Sequence, residues 1–134
     1  MTDRPMPPLQ ADERATLAGW LDFYRATLIS KCDGLTDDQL RTPAVLAGRL
    51  CGRGVDRRDV LAGDATLAAA RATWDDEVAR SRSAAAVRGL DETSPFMGGQ
   101  VTLRWIYSHM IAEYARHAGH ADLLRERLDG ATGA

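Results

Sequence analysis

All three histidines of this chain fall within the thirteen residues SHMIAEYARHAGH, 108–120. His109, Glu113, His117 and His120 follow one another at steps of four, four and three. At about 100° per helical residue, with His109 set at 0°, Glu113 falls at about 40°, His117 at about 80° and His120 at about 20°. Four nitrogen or oxygen donors therefore share one stripe. The i, i+4 pair Glu113 and His117, and the i, i+3 pair His117 and His120, project toward a common point. Helical bundles offer ligands to a metal held between helices in this way. Imidazole with carboxylate suits zinc, nickel, iron or manganese, and a catalytic ion keeps one position open beside about three protein ligands. The plain alternative is a set of hydrogen-bonded boundary histidines, with Glu113 and Arg116 as solvated charge.

The stripe needs a helix to carry it, and the sequence supplies one. Thr102 is the expected N-cap of a helix running to about Leu128, and Gly130 is suited to close it in the left-handed conformation. On the same wheel Leu103, Met110, Tyr114, Ala121 and Leu128 lie between about 100° and 140°, so the stripe is expected to border the buried face.

Upstream, Leu17, Trp20, Leu21, Tyr24 and Leu28 recur at three- and four-residue spacing and predict a helix from about Asp12 to Cys32, closed at Gly34. Thr36 and Gln39 have the spacing of a capping box, predicting a short helix over 37–41 that Pro43 halts. Residues 44–63 are irregular by expectation, since Gly48, Gly52, Gly54 and Gly63 each cost a helix about 1 kcal/mol relative to alanine. An alanine-rich second long helix is expected from Asp64 to about Arg88, with Leu67, Ala70, Trp74, Val78 and Val87 as a thin core face. Residues 89–100 read as a loop around Pro95 and Gly98-Gly99. No stretch alternates with period two, so no sheet is expected. The fold class is therefore all-α, an antiparallel helical bundle. One domain is expected over 1–134, with 1–10 and 131–134 as loose tails.

Composition excludes several classes of function. The net charge is −2, which recruits neither nucleic acid nor an anionic membrane. No apolar run approaches the roughly 18 residues of a membrane span, and the proline-bearing N-terminus lacks the apolar core of a secretory signal. A cytoplasmic location is the resulting expectation. Cys32 and Cys51 have no metal-site or redox-pair spacing and read as free thiols. The segment AGRLCGRGVD lacks the lysine and hydroxyl ending of a phosphate loop, so nucleotide binding is not expected. Trp20, Trp74 and Trp105 read as core or pocket wall.

Two segments carry a family resemblance: MTDRPMPPLQADERATLAGWLDFYRATLISKCDGLTDDQLR at the start and VTLRWIYSHMIAEYARHAGHADLLRERLDG near the end. Together they resemble the DinB-like (YfiT-like) metalloenzymes, in their actinobacterial, mycothiol-dependent branch. The resemblance covers roughly residues 1–42 and 72–131. It implies an antiparallel four-helix bundle, with the second helix shortened or irregular in this chain, a divalent metal ion, most often zinc or nickel, and a low-molecular-weight thiol as co-substrate. The last helix of that family shows H-x3-H-x3-H-x-G-Q, and those places are taken here by His109, Glu113, His117, Gly119 and His120. A carboxylate replaces the central histidine, and a histidine replaces the glutamine. The family draws another histidine from an earlier helix, whereas this chain has none before position 109; Cys51, Asp56 and Asp59 are the nearby donors.

Two functional expectations follow. The first is a metal-dependent thiol S-transferase, in which the ion activates a small-molecule thiol for attack on an electrophile. His117 and Glu113 are its leading ligand pair, His120 and His109 the next candidates, and Trp105 and Arg116 the residues shaping the thiol pocket. The second is a DinB-like bundle that has lost its catalytic metal and serves as a small binding or dimerising protein. A homodimer is compatible with either.

Overall fold

Helix caps set the boundaries of the elements in the computed structural model, which describes residues 4–41 and 64–133. Four helices occur among the described residues: α1 (Glu13–Ser30), α2 (Asp37–Arg41), α3 (Leu67–Ala86) and α4 (Leu103–Asp129). A hairpin of β1 (Thr93–Phe96) and β2 (Gly99–Thr102) leads into α4. The chain divides into two compact units, one from residues up to Asp33 and from Ser81 onward, the other over Gly34–Arg80, so that the division falls inside α3. Residues 44–63, with their expected irregular backbone and with Cys51, Asp56 and Asp59, lie outside the described residues.

In the larger unit, Asp12 caps α1 by accepting from the Ala15 amide at 2.8 Å. The buried side of α1 runs through Leu21, Arg25 and Thr27, with Leu17, Tyr24 and Leu28 half-buried. Trp20 departs from the expected core face. It is 41% exposed and lies flat against Tyr24, with ring centroids 5.9 Å apart. The proline lead passes close over Gly19: a Cβ there would stand 2.6 Å from Pro8 Cδ, so only glycine admits this approach.

Helix α4 packs along α1. Thr102 caps it by accepting from the Trp105 amide at 3.1 Å, and Gly130 ends it at φ 75°, both as the sequence predicts. Leu103 and Ala118 are its buried residues, whereas Leu128 is 36% exposed. The inward direction of α4 therefore centres nearer 150° on the wheel used above than the expected 100° to 140°. Arginines tie the elements of this unit together. Arg104 grips both oxygens of Glu13 at 2.6 and 3.0 Å and also pairs with Asp91. At the other end, Arg125 donates to the carbonyls of Lys31 and Asp33 at 2.8 and 2.9 Å, satisfying acceptors that α1 leaves open at its C-terminus.

The hairpin corrects the expectation of no sheet. Its strands pair antiparallel from Thr93 with Thr102 to Phe96 with Gly99. Met97 and Gly98 connect them with φ of 47° and 81°. Two positive φ values in a two-residue connection match the right-handed twist of the flanking strands. The strands have four residues each, too few to declare a period of two, and Pro95 inside β1 reads as a loop signal.

The smaller unit holds α2 and most of α3. The predicted capping box is formed: the Gln39 amide donates to Thr36 Oγ1 at 3.2 Å, and the Thr36 amide to Gln39 Oε1 at 2.9 Å. Asp37 reaches on to accept from the Leu67 amide at 2.8 Å, and Thr66 Oγ1 accepts from Ala69. This fixes the start of α3 three residues later than the sequence suggested. Val78 is the buried residue of α3, consistent with a thin core face. Val87 is 83% exposed because the helix stops at Ala86, before Val87 can join that face.

Candidate functional site

The stripe on α4 is present as a helical surface, and it lies closer to solvent than its spacing suggested. His109, His117 and His120 are exposed, and Glu113 is half-buried. The cause is the inward direction of α4: burial at Leu103 and Ala118 turns the stripe toward the open flank. Glu113 and His117 come together, with Oε2 and Nε2 3.7 Å apart. His120 lies edge-on to His117, their ring centroids 6.3 Å apart. His109 does not join them. It stacks on Trp105 at 4.8 Å with the planes 12° from parallel, and Phe96 on the hairpin leans against the same indole at 5.4 Å.

Arg116 also belongs to this surface, but its guanidinium is engaged in an ion pair with Glu113 Oε2. The structure thus sorts the six sequence-predicted residues into two groups along one helix. Glu113, Arg116, His117 and His120 form one, and Trp105 with His109 forms the other. Among the described residues, no three His, Cys, Asp or Glu side chains gather closely enough to hold a metal ion. The donors that do meet, Glu113 and His117, are one short of the three protein ligands a catalytic ion takes. Taken alone, the described residues therefore do not fit a complete metal centre.

Electrostatics frame α4 at both ends. The Arg104 guanidinium bonded to Glu13 holds that carboxyl below the usual range, and Arg104 is itself shifted upward by Glu13 and Asp91. The hydrogen bond from Arg125 likewise lowers Asp129, aided by the Ala131 amide, and raises Arg125. Cys32 stands at the C-terminal end of α1, half-buried, with its Sγ 3.8 Å from the Leu28 carbonyl.

One charged residue of this unit escaped the sequence reading. Arg25 occupies the i+4 place from Leu21 on the apolar side of α1, and its guanidinium lies 5.8 Å from the centre of the Tyr114 ring on α4. A cation inside an otherwise apolar helical stripe is the signal that could have found it.

The fold and this surface define a mainly helical protein carrying a histidine and carboxylate stripe on its last helix. The profile of the Mycothiol-S-transferase family matches residues 53–130, and the chain belongs to that family, within the DinB-like (YfiT-like) group that its terminal segments resemble. The matched span contains every histidine. No curated protein and no solved structure matches the chain. No helix among the described residues is long and apolar enough to cross a membrane.

Proposed function

We propose that this chain is a mycothiol-type thiol S-transferase, joining the sulfur of a small-molecule thiol to an electrophile within an antiparallel four-helix bundle. The observation that carries the reading is the Glu113–His117 pair at 3.7 Å, lying in the span that matches the family. In this reading the pair provides the leading ligands for a divalent ion, zinc or nickel, with His120 and His109 next in line. When bound, such an ion favours the thiolate form of a thiol. The described residues do not complete that centre, so no step is assigned to the ion.

The contribution of the chain itself rests on residues whose positions are known. His117 and Glu113, 3.7 Å apart on the exposed flank of α4, face the sulfur of the bound thiol, whose proton passes to solvent as it becomes thiolate. Trp105, with one face covered by His109, offers an apolar wall for the body of the thiol. Arg116 restrains Glu113. The thiolate then attacks the electrophilic carbon, and the leaving group departs with its electron pair.

A second reading is favoured by one observation: Glu113 already spends Oε2 on Arg116, and His109 is stacked on Trp105 instead of facing the other donors. On that reading the bundle has lost its metal site and acts as a small binding or dimerising protein. Elemental analysis of the purified chain separates the two. The transferase reading predicts close to one divalent ion per chain, lost in His117→Ala. A well-folded protein that cannot be loaded with zinc or nickel would overturn it.

A further inference from the structure

Arg25 is buried with part of its hydrogen-bonding capacity unmet. Its side chain is only 8% exposed, yet its five N–H donors are poorly matched. One donates to Asp22 Oδ1 at 3.3 Å and another to the Ser81 hydroxyl at 3.2 Å. The Nε–H, fully buried, meets no acceptor. Asp22 is moreover shared, since Arg82 holds the same oxygen at the shorter distance of 2.7 Å. Two guanidinium groups on one carboxylate leave the trio with a net charge of +1. A buried ionic cluster is weak evidence of a role in stability, because replacing the whole cluster by apolar side chains is often neutral. Local departures of this kind are found at functional or strained sites.

The geometry points to an anion. The edge of a guanidinium that bears Nε–H and one terminal NH₂ is a fork matched to the two oxygens of a carboxylate. In Arg25 the Nε half of that fork is unused. Tyr114, whose ring lies 5.8 Å from this guanidinium, is the neighbour of Glu113 and sits three residues before His117. The unmatched charge therefore lies at the same level of α4 as the proposed thiol site.

We infer that Arg25 anchors a carboxylate of the electrophilic substrate, so that the enzyme selects anionic electrophiles. This rests on the transferase reading for the identity of the ligand, while the anion site can be tested without turnover. With 4-(chloromethyl)benzoate as the probe, the thiolate sulfur attacks the benzylic carbon. The C–S bond forms, the C–Cl bond breaks and chloride leaves with the electron pair. The thiol proton passes to solvent, and the ring carboxylate stays on Arg25 unchanged.

The full chain is titrated with sodium benzoate and, separately, with neutral benzamide, following the Arg25 Nε–H resonance and the melting temperature. Benzoate is expected to shift that resonance and raise the melting temperature, and benzamide to do neither. Arg25→Met should abolish the benzoate response in a protein that remains folded, and Arg25→Lys should keep a weak response. In turnover with mycothiol, Arg25→Met should raise KM for 4-(chloromethyl)benzoate by at least about tenfold, the scale of one charge-assisted hydrogen bond. KM for mycothiol and the rate with benzyl chloride should not move. A benzoate titration that moves neither resonance nor melting temperature overturns the anion site, and needs no variant to fold. A change in KM for mycothiol alone overturns the assignment to the electrophile. Benzoate binding at Arg25 without turnover of either chloride would leave the anion site standing and remove the transferase reading.

Discussion

The hairpin tip offers a perturbation whose size can be worked out before it is made. Met97 sits at φ 47°, in the left-handed region, and is 90% exposed. A non-glycine L-residue pays roughly 1–2 kcal/mol for that conformation, and asparagine is among the few that tolerate it. Because the methionine side chain buries almost nothing, replacing it sacrifices no packing. An asparagine in its place, followed by Gly98, would also give the dipeptide most favoured in a two-residue turn with both φ positive. Met97→Asn should therefore stabilise by about 1 kcal/mol, or about 3 to 5 °C in melting temperature for a chain of this size. Met97→Val, β-branched and ill suited to positive φ, should move the midpoint the other way. The gain reaches global stability because the hairpin is tied to the helical unit. The Leu103 and Arg104 amides donate to the Glu92 and Leu90 carbonyls at 3.0 Å, and Phe96 leans on Trp105. The assay is thermal and urea unfolding of the three proteins under one condition. An asparagine variant no more stable than the parent, together with a valine variant no less stable, would refute the reasoning.

Other consequences concern the core, the charges and the stripe. Leu21, 5% exposed on the face of α1, should cost about 2 to 5 kcal/mol when cut to alanine, read as a fall in the urea midpoint at constant slope. Glu13 is held below its usual pKa by Arg104, so its contribution is present above the unfolded carboxyl pKa and is lost as pH falls through the lower folded value; Glu13→Gln should flatten that acid limb of the stability profile. Arg116→Ala frees Glu113 Oε2 from its ion pair and should tighten zinc binding by up to about fivefold in a chelator competition, the scale of one exposed pair. Unchanged or weaker zinc binding would show that Arg116 does not compete for the carboxylate.

Much of the helical framework was legible because caps are local chemistry. Thr36 with Gln39, Thr102 and Gly130 act where the spacing placed them, since each needs only neighbours within a few residues. Helix α1, by contrast, ends at Ser30 with Lys31 as its cap, before Gly34 is reached. The hairpin was hidden for the opposite reason: Met97 reaches positive φ without being glycine or asparagine, so the turn carries only half its usual signature. The stripe on α4 was legible as a stripe, but its depth was not. The wheel counted Leu128, which is exposed, and left out Ala118, which is buried. That error set the inward direction tens of degrees too close to the histidines. Arg25 was overlooked because a charge is read as solvated unless its neighbours are known, and its neighbours Ser81 and Tyr114 are 56 and 89 positions away in the chain.

The most direct test of the transferase reading is mycothiol consumption by the purified chain with an alkylating electrophile such as benzyl chloride, followed as S-conjugate formed by mass spectrometry. Conjugate formation well above the uncatalysed rate is expected, lost in His117→Ala while that variant remains folded. A rate equal to the uncatalysed one, with and without added zinc or nickel, would contradict the proposal that this member of the family transfers a thiol.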